Sequence, residues 1–334
     1  MAEEITLDAL REEEKQKIMK AFKAGREAAD HYYESKVEPA LIRRLDVYRA
    51  DKTLYKKKFP RLSELSSWVS RDVKVAIDWI MPSLMEAFTG TADPVDIVGV
   101  NIADDDNAKK IQQLLSYFIT RKNNFFRFLY DFLRDGLELN FACAKVYWKR
   151  VEERRPMEVL ADAALMQQLL VAAQAGRIAF REAVPVTEAG DLLKVSFDVI
   201  EVTVNQPVLE NMSPSELRFT SEARELRKAK FVAHRKIVTG DDLKRLEQQG
   251  VYQNVDRAMR EGASWRVRRA ALDKRHSEET DALDTRLSDG DTASKEFELY
   301  EGYLKVDCNG DGIYEDLIVH AVGRGHIPAT ADTA

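Results

Sequence analysis

The sequence predicts an α+β protein, mainly helical, with a mixed or antiparallel sheet body and a terminal β-hairpin. Three observations carry the prediction. From Ile18 to Leu137 apolar residues recur at spacings of three and four, the period of a helix buried on one side. Alternation with period two then takes over in Phe141–Val151, Leu193–Val204, Lys230–Val238, Phe297–Val306 and Tyr314–Val322. The last two of these runs flank Asp307-Cys308-Asn309-Gly310-Asp311-Gly312, whose residue types favour a tight turn.

The first helical stretch covers Thr6 to about Asp51. Thr6 or Asp8 offers an N-cap, and Glu12, Glu13 and Glu14 suit the positive end of the helix dipole. Ile18, Phe22, Ala29, Tyr33 and Val37 form its stripe, and Pro39 is expected to split it because proline lacks a donor and crowds the preceding turn. The basic run Arg43, Arg44, Arg49, Lys52, Lys56, Lys57 and Lys58 reads as a solvated face, or else as a contact with nucleic acid or an acidic neighbour. A second helix covers Leu62–Phe88, with Leu65, Val69, Val73, Ala76, Ile77, Ile80 and Leu84 on one face. Trp68 and Trp79 add contact area, Pro82 introduces a bend, and Gly90 is free to take a left-handed stop.

Asp93-Pro94 opens a turn into a short strand, Val95–Val100. Asp104, Asp105 and Asp106 then start a helix with a stripe of Ala108, Ile111, Leu114, Leu115 and Phe118. Asn123-Asn124 breaks it, and Phe125, Phe128, Leu129, Phe132, Leu133 and Leu137 line the next, where Gly136 suggests close packing. Trp68, Trp79, Phe128, Phe132 and Trp148 are expected to form a packing core. Arg154-Arg155-Pro156 reads as a boundary, Met157 to about Phe180 as a helical excursion between two strands of one sheet, and Asn205-Gln206-Pro207 as a turn. Ser213-Pro214-Ser215-Glu216 has the residues of a capping box with room for only a short turn of helix, and Thr239 caps a helix Asp241–Gln249 stopped by Gly250. Residues 254–295 are highly charged and poor in large apolar side chains, as in a mobile insertion. The tail GRGHIPATADTA is expected to fray. In segments, the reading is a helical arm (1–60), a helix and strand core (61–155), a helical excursion (156–192), an α/β body (193–255), a charged insertion (256–295), a hairpin (296–322) and a frayed tail (323–334).

Composition narrows the function. With 57 acidic against 51 basic residues the net charge is −6, which argues against a DNA-coating protein. The two cysteines, Cys143 and Cys308, lie far apart and outside any C-x-x-C pair, so neither a zinc site nor a disulfide framework is expected, and a reducing cytosol is the default. No run approaches the ~18 apolar residues of a membrane span, and the acidic N-terminus lacks the apolar centre of a secretion signal.

Asp307, Asn309 and Asp311, followed by Gly312, match the first half of a calcium loop, in which oxygens at alternate positions converge on a hard cation. The second half departs from it. Ile318 stands where a bidentate glutamate belongs, with Glu315 or Asp316 as substitutes, and the flanks are strands. The alternatives are therefore a calcium-binding interaction module centred on this loop and a plain hairpin turn. The five histidines (His31, His234, His276, His320, His326) show no ligand spacing, and no nucleophile elbow, Walker A loop or dinucleotide-binding glycine pattern is present. The sequence argues against an enzyme, and no resident cofactor is expected.

Several segments, in order, carry a resemblance. They are a helix ending LMEAFTG, then DPVDIVGVN, then ADDDNAKKIQQLLSYF, then FLYDFLRDGLELNFACAKVYWKR. Further on come VLENMSPSELRFTSEARELRKAKFVAHRKIVTGDDLKRL and ELYEGYLKVDCNGDGIYEDLIVHAVG. This order resembles portal proteins of short-tailed double-stranded DNA bacteriophages of the Salmonella-phage type, over most of residues 50–322. The resemblance implies a self-assembled ring, usually of twelve subunits, at one vertex of the capsid, in a virion assembled in the bacterial cytoplasm. It implies a terminase motor, coat or scaffold proteins and tail adaptors as partners, double-stranded DNA passing through the channel, no membrane, and no bond-breaking chemistry. The matched region resembles the outer wing and its α/β body. Relative to the family pattern the stem and clip half is expected to be missing.

Overall fold

A computed structural model describes residues 12–51, 69–91, 94–101, 104–185, 193–222, 225–249, 251–252, 254–262, 293–308, 310, 312–323 and 326–333. Helix outweighs strand, and both sheets are antiparallel, as the α+β reading requires. The chain forms two compact units. One comprises Met1–Pro94, Phe125–Lys145 and Glu210–Ala334, and the other Val95–Asn124 and Val146–Leu209.

In the first unit, α1 (Glu12–Tyr32) carries Ile18, Phe22 and Ala29 at helical spacing and lays them on a five-stranded sheet. The sheet order is β4 (Leu217–Phe219), β5 (Phe231–Thr239), β6 (Glu296–Val306), β7 (Glu315–Val322), β8 (His326–Thr333). Period two sends Phe231, Ala233, Tyr300, Leu304, Leu317, Val319 and Ala321 to the α1 face. Phe297, Leu299 and Val322 pack on the other face against Leu243 of α7 (Gly240–Gln248) and Val255 and Met259 of α8 (Val255–Gly262). Two glycines let α1 sit close to the sheet. A Cβ on Gly25 would lie 2.6 Å from Phe231 Cδ2, and one on Gly302 would lie 2.7 Å from Phe22 Cε2. Each phenylalanine thus fills the space a missing side chain leaves, and the two rings meet edge to face at 5.6 Å.

Pro39 does not break the first helix. The turn Tyr33–Val37 widens to π geometry, Glu38 N–H reaches back to Tyr33 O, and α2 (Glu38–Tyr48) continues with the proline near its N-terminus, where no donor is needed. Tyr33, Leu41 and Leu45 then pack with Ile77, Met81 and Met85 of α3 (Asp72–Thr89) and Leu129 and Leu139 of α5 (Phe125–Leu139). Pro82 sits inside an unbroken α3, and Gly90 ends it with φ −71°, in right-handed rather than left-handed geometry. Leu65 and Trp68 lie outside the described residues.

In the second unit, residues 95–100 form no strand. Their backbone has no ladder, and Ile97 N–H instead donates to Gln112 Oε1 of α4 (Asp105–Tyr117) at 3.3 Å. After a π-helical turn, Phe118–Lys122, Asn123 stops the helix as expected. Its amide donates to Phe118 O and Pro207 O, both at 2.9 Å, and its oxygen accepts from Leu209 N–H. The three-stranded sheet has the order β1 (Cys143–Ala161), β3 (Leu193–Met212), β2 (Ile178–Pro185), and α6 (Ala163–Gln174) packs on it through Leu165, Met166 and Leu169. The excursion between two strands of one sheet is present, but its helix is shorter than Met157–Phe180.

Both proline-marked breaks turn out to be strand. β1 runs through Arg154-Arg155-Pro156 because it is an edge strand, where a missing donor can face outward. β3 runs through Asn205-Gln206-Pro207 because its pairing with β2 ends at Val199, which leaves that flank unladdered. The tail expected to fray supplies β8, so the hairpin is followed by a further strand.

Candidate assembly surfaces and the Asp307 turn

The hairpin tip is built from Asp307 outward. Its Oδ1 accepts the Gly310 N–H at 2.6 Å and its Oδ2 the Gly312 N–H at 3.0 Å. Gly310 and Gly312 hold φ of +84° and +87°, a region that favours glycine. Glu315 accepts the Cys308 N–H at 2.9 Å, and Asp316 pairs with Lys305 at 2.9 Å. The carboxylates near the tip therefore serve backbone turns and a strand ion pair. Asn309 and Asp311 lie outside the described residues. Among the described residues no group of three or more His, Cys, Asp or Glu is arranged to hold a metal.

The histidines are dispersed in role. His234 is buried, with Nε2 3.6 Å from Glu216 Oε2, and His320 packs on the Tyr252 ring at 5.2 Å. Glu301 lies between them in register and pairs with Lys145. His31 is in the last turn of α1, while His276 and the His326 side chain fall outside the described residues. Burial pushes the Cys143 and Cys308 thiols up to about 11, helped by Asp135 and Glu315 respectively, so both stay protonated and weakly nucleophilic at neutral pH.

A buried charge cluster joins α1 to the sheet. Arg218 Nε donates to Asp30 Oδ1 at 3.0 Å, its Nη1 donates to Ser215 O at 2.6 Å, and its guanidinium lies 3.6 Å above the Tyr33 ring. Arg26 donates to Gly323 O, Arg235 to Glu298, and Tyr300 Oη to Asp30 and Glu298. Burial raises the Asp30 carboxyl above its ordinary range, although Arg218, Arg26 and Arg235 pull the other way. Sequence reasoning missed this cluster. The available signal was Arg26 and Asp30, four apart on the helix that carries Ile18, Phe22 and Ala29.

The expected aromatic core is corrected at two positions. Trp79 is 79% exposed and Trp148 60% exposed, whereas Phe128 and Phe132 are half-buried and stack on each other at 6.0 Å. Trp148 borders Phe118 and donates its Nε1–H to Asn205 Oδ1 at 2.6 Å. In the first unit Val75, Ile80 and Phe88 are exposed along with Trp79, and in the second Val98, Val100, Ile111 and Leu114 are exposed. The expected face of α3 is also shifted. Ile77, Met81 and Met85 are buried, while Val73 and Ile80 are exposed. Arg43 and Arg49 are solvated, Arg44 donates to Leu139 O at 2.9 Å, and Lys52–Lys58 lie outside the described residues.

Among the described residues, both units carry large apolar side chains at the surface. The family model described as "Phage SU10 portal protein" matches residues 18–329, and the chain belongs to that family. The portal resemblance is thereby borne out. No curated protein matches it. None of the described helices is long and apolar enough to cross a membrane.

Proposed function

We propose that this chain acts structurally, without bond-breaking chemistry, as one subunit of a ring, dodecameric by resemblance, at a capsid vertex. DNA enters and leaves through that ring, a terminase motor docks on it during packaging, coat or scaffold proteins surround it, and tail adaptors attach later. The observation that carries the reading is the family match over residues 18–329. The exposed Trp79, Val98, Val100 and Leu114 support it, since a ring needs two different apolar surfaces that meet head to tail. Native mass spectrometry and negative-stain imaging of the purified chain test it. Closed rings are expected, and monomers alone at high concentration would overturn it.

For the Asp307 loop we propose a turn-forming role with no resident cation. Both Asp307 oxygens already accept backbone N–H groups, which supports that reading over a calcium module. Calorimetric titration with calcium should release no heat. A saturable signal that disappears in Asp311→Ala would establish the module instead.

A further inference from the structure

Two exposed helix faces, one in each unit, share a spacing and carry opposite charge. On α3, Val75, Trp79, Pro82 and Glu86 follow one another at steps of four, three and four, so they lie on one face, and all four are exposed. Asp72, three residues before Val75 and also exposed, closes the other end of that face. The centre is therefore apolar and a carboxylate stands at each end. Of the nearby cations, Lys74 is half-buried, three residues before the core residue Ile77, and Arg71 lies next to Asp72 before the first turn.

On α4 and the π-helical turn behind it, Lys110, Leu114, Tyr117 and Arg121 repeat the steps of four, three and four and are likewise exposed. Here the centre is apolar and a cation stands at each end. Lys122 adds a further positive charge, with Nζ 5.9 Å from the centre of the Tyr117 ring. Asp104, Asp105 and Asp106 keep to the N-terminal end, where the helix dipole favours them. Among the described residues Glu86, Lys110 and Arg121 have no ion-pair partner.

The two stripes match in length, since each rises about 16 Å from its first to its fourth residue. Like charge discourages either face from pairing with its own kind, and opposite charge suits each to the other. Exposed ion pairs contribute little affinity, so the apolar centres would supply it and the charged ends would set the register. A face that fits a different face of the same chain makes a heterologous contact, the kind from which rings are built.

We propose that α3 of one copy docks on α4 of a second copy, with Trp79 against Leu114 and Tyr117 and with Asp72 and Glu86 facing Lys110 and Arg121. This names a subunit contact of the ring proposed above and rests on that reading.

The test compares by native mass spectrometry the full wild-type chain, Trp79→Asp, Leu114→Asp and an equimolar mixture of the two variants. The wild type is expected to form rings. Each variant alone should stay monomeric at the same concentration, because one face is spoiled in every copy, and should need at least about tenfold more protein to assemble. The mixture, examined at higher concentration because it lacks the gain of ring closure, should give one-to-one dimers, since the first variant keeps its α4 face and the second its α3 face. Circular dichroism establishes that the variants fold. Both positions are exposed, and Trp79→Ser with Leu114→Ser is the milder pair. Rings from the wild type and from either aspartate variant would overturn this contact and leave the ring reading standing. Wild-type monomers alone would overturn the ring reading and this contact with it. Monomeric variants that fail to pair when mixed would overturn the docking of α3 on α4.

Discussion

Gly25→Ala sets two well-understood effects against each other. In an exposed helix interior the change favours folding by about 1 kcal/mol, because alanine loses less backbone freedom than glycine. Here the new Cβ would lie 2.6 Å from Phe231 Cδ2, 2.7 Å from Cγ and 3.0 Å from Cβ. Contact so near the root of the ring cannot be relieved by swinging its far end. Phe231 is 2% exposed and wedged against Phe22, which is itself fully buried. Relief therefore requires lifting α1 from the sheet, and overpacking of that kind costs about 1–3 kcal/mol. The packing cost wins, and a net loss of about 1–2 kcal/mol is expected. Urea unfolding followed by circular dichroism should show a lower midpoint at unchanged slope. Adding Phe231→Ala, which removes Cγ and Cδ2 from the contact, should cost less in the Gly25→Ala background than in the wild type. A Gly25→Ala chain as stable as wild type, or more so, would refute the close-approach argument.

Four further expectations follow from the same geometry. Arg218→Met removes the guanidinium that meets Asp30, Ser215 O and the Tyr33 ring, and leaves a partly buried carboxylate with fewer partners; a loss of about 3–5 kcal/mol is expected in the same unfolding assay. Asp135 has its carboxyl pushed up to about 6 by burial and by the neighbouring Glu138 and Asp131. A raised carboxyl favours the fold below its ordinary value of 3.8 and loses that contribution as pH climbs to about 6. Asp135→Asn should flatten stability over that window and add about 1 kcal/mol at neutral pH, the full shift being discounted for partial solvation. Thr239→Ala removes the capping box with Asp242 at the start of α7 and should cost about 1 kcal/mol, read as faster amide exchange at 240–243. Trp79→Ser should leave subunit stability within about 0.5 kcal/mol but lower the ring fraction seen by native mass spectrometry.

What could be read from the chain was set by local rules. Thr239 and Asp242 announce α7, Asn123 ends a helix, and alternation places β5, β6 and β7, because each signal acts within a few residues. The Ser213 segment is half right for the same reason. Glu216 does reach back to the Ser213 N–H at 3.0 Å, but the chain enters β4 at Leu217 before a helix can form. Readings that needed neighbours in space went astray. Pro156 and Pro207 break a strand only if both flanks must pair, and sequence does not reveal which flank is open. Val95–Val100 has strand composition, but among the described residues no partner backbone pairs with it. The tail lacks strand composition, yet β8 acquires order from the ladder of β7. Of the candidate metal residues only Asp307 could be followed into the structure, where its spacing served a turn.

The exposed tryptophan on α3 shows why a hydrophobic stripe is an incomplete instruction. Ile77, Met81 and Met85 are four apart and face the subunit's own core. Trp79 stands two residues from both Ile77 and Met81, hence about 200° around the helix, on the far side with Val75. A helix that is apolar on two sides gives a period that points to neither one, which is why the sequence placed Trp79 in the core. The two sides nonetheless differ in energy already gained. A tryptophan can bury roughly 200 Å², and at about 25 cal/mol per Å² an almost fully solvated ring leaves roughly 4 kcal/mol unrealised. Sparing that much apolar surface makes little sense for a subunit that works alone. It is what a head-to-tail contact would draw on, and the proposed ring gives the second side of α3 a physical reason to be apolar.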